Sequence, residues 1–375
     1  MLTALLLLAA GQAAPAQVAL SRDIVVKARP LASYKADLDA CIARRCPPKE
    51  EIAASLAYAE AQLLTGDYAG SRSTLLRARG RNARFAAELP IDVSDLHHAN
   101  ARLADLNGRP ETGRVDMFDV VGALKAGLPD DDSRVMAARL MVGDAFAKDG
   151  RFYAAMSHYR WVEKLSARAN MPMVVGMAKF RRATLLATVA TVLGGMRPEA
   201  RRAADEILRS PDPSWAVFRN GMRLVPTYLA LERERPALLE AAIASLEPQG
   251  ADEVQLVYHP PIDLTAVAES ASPGEPKTQW ADVAFRIGAD GRVTDVEVLR
   301  QSERLAEWWL APALKSLRAR RYAPLRLPSG SSGLNRLERY SLISDLVPTK
   351  ESRIAVRAST QRVDIIDLSG PAPTG

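Results

Sequence analysis

The residues able to do chemistry are few and scattered. Cys41 and Cys46 are the only cysteines, five positions apart. If the helix carrying Cys41 ends near Arg44 and the chain turns before Pro47, the two can meet in a disulfide, whereas a straight helix would hold their Cα atoms too far apart. In an exported chain such a pair is expected to be bridged; the alternatives are a redox switch or half of a metal site. A metal lacks partners, because the only histidines are His97, His98, His158 and His259, and a structural zinc needs four ligands. His97 and His98 are adjacent and diverge by about 100° around a helix, so they read as a helix-surface pair and not as ligands. Asp130-Asp131-Asp132 follows Leu128-Pro129 and precedes Ser133; it reads as a turn and helix N-terminus, where negative charge is favoured. A Ser-centred elbow, a Gly-rich phosphate loop and a clustered ligand set are missing. The sequence therefore assigns no catalytic, cofactor-binding or metal residue, and the expected function is not enzymatic.

Charge does not suggest a nucleic-acid binder either. The chain of 375 residues carries a formal charge of +6. From Asp252 onward there are 16 Lys or Arg against 16 Asp or Glu, so the whole excess lies before that point. Positive charge and aromatic platforms are not concentrated anywhere beyond Lys315 to Arg326, and that short run reads as a solvated helix end and not as a phosphate site. At the start, an apolar core from Leu2 to Ala10 followed by Gly11-Gln12-Ala13-Ala14-Pro15-Ala16 predicts an export signal over 1–16, with small residues at Ala14 and Ala16 for cleavage. The apolar stretch is well short of the roughly 20 residues of a membrane span. A periplasmic location is expected, with an inner-membrane anchor as the alternative if the leader is retained or the true start lies upstream.

The elements that must position these residues come next. From Leu31 to about Leu246 apolar residues recur at helical spacing, and turns recur at Gly66, Gly108, Gly150, Gly194 and Glu234, that is, at intervals of 42, 42, 44 and 40. A period of this size predicts an α-solenoid of paired helices. One unit, Ala137, Leu140, Gly143, Asp144, Ala145, Phe146, Gly150, Arg151, Phe152, Ala155, Tyr159 and Val162, resembles a tetratricopeptide repeat, although that repeat is about 34 residues and the spacing here is longer. Tyr68, Phe146, Phe152, Tyr159 and Trp161 fall where hairpins interlock and are expected to pack.

Near Gly250 the pattern changes. Val283, Phe285 and Ile287 alternate with polar or small residues, as in a strand buried on one face. Gly288-Ala289-Asp290-Gly291 is a tight turn, and Val296 and Val298 continue a second strand whose parity slips after Val293, which predicts a bulge. Leu305 to Leu317 has helical spacing, Tyr322-Ala323-Pro324 is an extended exit, and Leu337 to Ile343 is a returning strand. The order V-x-F-x-I-x-x-D-G-x-V-x-D-V-x-V-L, a helix, then R-R-Y-A-P, from Val283 to Pro324, resembles the C-terminal domain of TonB-type proteins. That resemblance covers about a quarter of the chain with its flanking strands. It implies a binding module that takes an extended peptide of an outer-membrane receptor onto a sheet edge, and on this basis Arg339, Tyr340, Ser341, Leu342 and Ile343 are the candidate peptide-binding residues.

The expected fold is α+β in two domains: an N-terminal α-solenoid of TPR-like hairpins, then a small TonB-like domain with an antiparallel sheet and a packed helix. The expected boundaries are a signal peptide at 1–16, an extended linker at 17–30, the repeat domain at 31–250, the TonB-like domain at 252–348, additional strands at 349–369 and a disordered tail at 370–375. Two of those additional strands, Arg353 to Arg357 and Val363 to Leu368, could cover the sheet edge that a peptide would need. The expected function is a periplasmic interaction protein with protein or peptide partners in the cell envelope, no cofactor and no nucleic acid. The alternative is a TonB-type energy transducer, which requires a membrane anchor upstream.

Overall fold

The computed structural model describes residues 29–230, 235–251, 254–264, 279–348 and 355–369. The expected leader and tail, nearly all of the linker and the loop 265–278 lie outside them. Helix α1 (Leu31–Ala43) leads into four antiparallel hairpins: α2 (Pro48–Leu64) with α3 (Tyr68–Asn82), α4 (Pro90–Leu106) with α5 (Pro110–Gly127), α6 (Ser133–Lys148) with α7 (Phe152–Arg168), and α8 (Pro172–Val192) with α9 (Arg197–Leu208). Then come α10 (Ala216–Met222), α11 (Val225–Leu229) and α12 (Arg235–Ala244). No helix of the described residues is long and apolar enough to cross a membrane.

Four turn markers, Gly66, Gly108, Gly150 and Gly194, fall at the bends between paired helices, Glu234 lying outside the described residues, and three of these bends share one geometry. Gly66, Gly108 and Gly150 have φ of 84°, 70° and 72°. The next N–H reaches back five residues, from Asp67 to the Gln62 carbonyl (2.9 Å), from Arg109 to Ala104 (2.8 Å) and from Arg151 to Phe146 (2.9 Å). A left-handed glycine with that bond closes a helix and reverses the chain. Helix starts are equally local. Pro48, Pro90, Pro110 and Pro172 stand in the first turn, where an N–H has no partner to lose, and Asp67 and Asp132 cap α3 and α6 by accepting from Gly70 N (2.8 Å) and Arg134 N (2.9 Å). Gly143 lets α6 and α7 close, since a Cβ there would strike the Tyr159 ring. The largest core, with Met136, Leu140, Tyr159, Leu186, Ile207, Phe218 and Leu229, runs from α6 to α11.

The C-terminal part holds β1 (Gln249–Gly250), β2 (Leu256–Tyr258), β3 (Gln279–Ile287), β4 (Val293–Gln301), α13 (Glu307–Arg318), β5 (Arg321–Tyr322), β6 (Leu325–Arg326), β7 (Leu334–Pro348) and β8 (Ala355–Asp367). The main sheet is antiparallel in the order β4-β3-β7-β8. Three sequence expectations change. Of the two C-terminal strands expected, residues 355–357 and 363–367 fall in one long strand, Arg353 and Ile354 lying outside the described residues, because β7 runs on to Pro348 and offers β8 a partner along its length. Gln249 and Gly250, expected at the end of the repeat domain, pair in parallel with β6. The alternation in β3 predicts one buried face, yet Asp282 on the other face is also buried. The predicted slip in β4 is present: Ala284 pairs with Glu297 and Arg286 with Thr294, so Phe285 faces two residues, and Asp295 takes a φ of 51°. One sheet face packs Val283, Phe285, Ile287 and Tyr340 against Trp309, Ala313 and Leu317 of α13. The other face packs on the helices.

Candidate functional site

Cross-strand register assembles a densely bonded polar group. Trp280 and Asp282 on β3 lie opposite Ser341 and Arg339 on β7. The period of two puts all four side chains on the face turned to the helical array. Arg339 and Asp282 are both 0 % exposed. Arg339 grips Asp282 through both carboxylate oxygens, Nε to Oδ1 at 2.6 Å and Nη2 to Oδ2 at 2.9 Å. It also donates to the last carbonyls of α2, Nη1 to Leu63 O at 2.5 Å and Nη2 to Leu64 O at 2.9 Å, where the helix dipole favours a cation. Its guanidinium stacks 3.9 Å from the Trp280 ring centroid. Burial opposes the charge of Arg339, but Asp282 and Tyr68 hold its pKa above the ordinary value.

The glycine bends complete the contact. Trp280 occupies the space over Gly66 that a side chain would fill, and Ser344 O does the same over Gly108. Leu346 N donates to Gly108 O at 2.6 Å, Arg362 Nη2 to Asp105 O at 3.0 Å, and the hydroxyls of Tyr68 and Ser341 are 2.8 Å apart. Leu63, Leu96, Leu103 and Leu106 share a core with Ile343 and Ile366. At the other end of the array, Glu240 on α12 pairs with Arg321 (2.7 Å) and Arg292 (3.3 Å), and Tyr228 OH donates to Val257 O at 2.7 Å.

This geometry corrects the candidate peptide-binding strand. Arg339, Tyr340, Ser341, Leu342 and Ile343 are buried in an interior strand flanked by β3 and β8, and three of them bind or pack against the array. The actual edges are β4 and β8. The β4 edge is broken by register shifts and carries Asp295, Glu297 and Arg300, all exposed, which are features that discourage an added strand. The basic run is corrected in part. Lys315, Arg318 and Arg326 are exposed, but Arg320 is buried against Glu338 (2.8 Å) and Arg321 against Glu240.

Other predicted residues fall as follows. Cys41 and Cys46 are bridged, their Cα atoms 5.1 Å apart, because α1 ends at Ala43 and Arg45 turns with a φ of 54°. His98 is exposed as expected, but His97 is not: the divergence of adjacent residues turns it inward, with Nδ1 3.7 Å from Asp119 Oδ2 and Asp116 nearby. All five expected aromatics pack: Tyr68 and Tyr159 are buried, and Phe146, Phe152 and Trp161, partly buried, lie against the largest core. A surface that the sequence reading missed surrounds Phe146. Phe118 (45 % exposed) lies 5.8 Å from it, His158 stacks at 5.5 Å, and the Arg151 guanidinium is 5.5 Å from its ring. Val115, one turn before Phe118, and Tyr153 at the start of α7 are 59 % and 86 % exposed. Only the helical phase of Val115 and Phe118 could have signalled this, and without neighbours that phase does not separate core from surface.

No family model matches the chain, and no curated protein matches it. Among solved structures, a Podosopora anserina protein described as a kinesin light chain with nearly identical TPR-like repeats aligns at 16 % identity and a TM-score of 0.40, over 53 % of this chain and 95 % of that one. Its Q17M form aligns with the same identity and score over 52 % and 94 %. The repeat character described above rests on the hairpins themselves.

Proposed function

We propose that the chain is a non-enzymatic protein-interaction scaffold of the cell envelope, in which a TonB-like module braces a TPR-like array instead of capturing a peptide at its own edge. The order hairpin, helix, returning strand supports the TonB-like reading, and the Cys41–Cys46 bridge supports an oxidising, exported location. The observation that carries the proposal is the aromatic surface of α5 to α7. Phe118 remains exposed against Phe146, over which Arg151 also stands, and Tyr153 is exposed on α7, while the face of the sheet that bears Arg339, Ser341 and Ile343 is committed to the array. Exposed aromatics with arginine are the usual anchors of protein interfaces, and an apolar segment carrying acidic residues is the complementary partner.

The test is site-specific photocrosslinking in cells that export the full chain, with the reactive residue at Tyr153. The expected result is a discrete protein adduct that Phe118→Ser removes while thermal stability is unchanged. A diffuse background, or an adduct indifferent to Phe118→Ser, would sink the proposal.

A further inference from the structure

We propose that His97, Asp116 and Asp119 form a site for one divalent transition-metal ion of the zinc class, between α4 and α5. The two carboxylates are three residues apart on α5, and the imidazole comes from the antiparallel neighbour. One ligand atom from each lies within 4.8 Å of the other two. The His97 Nδ1 to Asp119 Oδ2 separation of 3.7 Å compares with roughly 3.3–3.5 Å between ligands of a tetrahedral zinc with bonds of about 2.0–2.2 Å. Small side-chain rotations close the difference.

An independent observation points into the same space. Asp116 is 3 % exposed and His97 7 %, yet Asp116 Oδ2 and His97 Nδ1 are buried without a hydrogen-bond partner. Buried polar atoms are rarely left so. Arg79 Nη1 donates to the other oxygen of Asp116 at 2.5 Å, which fixes that carboxylate and leaves Oδ2 directed elsewhere, as the hydrogen-bonded carboxylates of metal sites are held. Asp119 is half exposed, so an ion has an entry path and a water can complete the shell. One nitrogen with two carboxylates suits zinc, cobalt or nickel better than calcium or magnesium, which take oxygen ligands. Arg79 also stands 4.0 Å from Asp119 Oδ2 and Arg72 interacts with Asp116, so the ion competes with guanidinium for these carboxylates.

The experiment is titration of the full chain, free of any polyhistidine tag, with Zn²⁺ by calorimetry and with Co²⁺ by visible absorption. One equivalent is expected to bind, with Co²⁺ bands of low coordination number. His97→Gln and Asp119→Asn are each expected to weaken binding at least about 100-fold, the upper end of the loss seen for orienting partners alone. His98→Gln, one residue away and exposed, should leave binding unchanged. Asp119→Asn alters a half-exposed side chain and so keeps the test valid if His97→Gln fails to fold. The absence of stoichiometric binding, binding that survives Asp119→Asn, or equal loss in His98→Gln would each overturn the site.

Discussion

Replacing Arg339 by Met removes the cation at the centre of the contact between sheet and helices while keeping much of its apolar bulk. Breaking one partner of a buried ion pair costs about 3–5 kcal/mol, because the other charge is left behind. Here Asp282 keeps Arg300, whose half-exposed guanidinium reaches Oδ2 at 2.7 Å, so the ion-pair loss belongs at the low end of that range. The Leu63 and Leu64 carbonyls lose charged donors, each bond contributing about 1.5–3 kcal/mol in general but not additively when one group makes them all. A total near 4 kcal/mol follows, about a thousandfold in the folding equilibrium. With urea m-values of about 2–3 kcal/mol/M, the midpoint should fall by roughly 1.3–2 M. Urea unfolding followed by tryptophan fluorescence and far-UV circular dichroism reads this directly. Arg339→Met with Asp282→Leu should recover much of the loss, since no buried charge is then left unpaired. A shift in Arg339→Met below about 0.3 M, or a double variant as damaged as the sum of the singles, would refute the reasoning.

Three further outcomes follow from other residues. Gly66→Ala and Gly150→Ala both place a side chain at positive φ, a cost of about 1–2 kcal/mol, but only Gly66 faces Trp280, with open space at Gly150; thermal melts should show Gly66→Ala clearly the worse, and equal losses would contradict the docking. The pKa of His259 is pushed down to about 3 by burial and then by Arg320. The unfolded chain therefore binds the proton first, and stability should fall as pH drops from 6.5 towards 3, at up to about 1.4 kcal/mol per unit. His259→Phe should flatten that slope, and parallel stability–pH curves would reject the assignment. Cys41→Ser opens a loop closed across a separation of 5 residues, worth about 2 kcal/mol by loop entropy; calorimetric melts with and without reductant should differ for the parent and coincide for the variant.

The hairpin array was legible because its turn chemistry is local: a glycine at positive φ and a back-reaching N–H repeat at Gly66, Gly108 and Gly150 whatever surrounds them. The slip in β4 was legible for the same reason, since side-chain parity shows within one strand. What failed was long-range. Asp282 falls by alternation on the open face of its strand and Arg339 among the candidate peptide-binding residues, and only the register of β3 on β7, with α2 laid over both, makes them a buried pair. His97 was misread by the same cause, because its burial depends on α5 supplying Asp116 and Asp119. A candidate edge strand was placed in the interior because the pairing of β8 with β7 is not encoded in either strand alone.

Helical-repeat arrays are held by contacts between neighbours, so their ends are free to unfold separately. This sheet joins elements that are not neighbours. Through Arg339 and Leu346 it holds the bends after α2 and α4, while the separate β2–β5 pair holds α12 and α11 through Arg321 and Val257. The first hairpin therefore cannot open without exposing Ile343 and Ile366, nor the last helices without breaking the Glu240 pairs. Such a tie turns a chain of separate openings into one shared transition, and Phe118 and Tyr153 stand on the hairpins between the two anchored ends. A partner bound there meets a surface whose curvature is fixed from both sides, so less ordering is left for binding to impose.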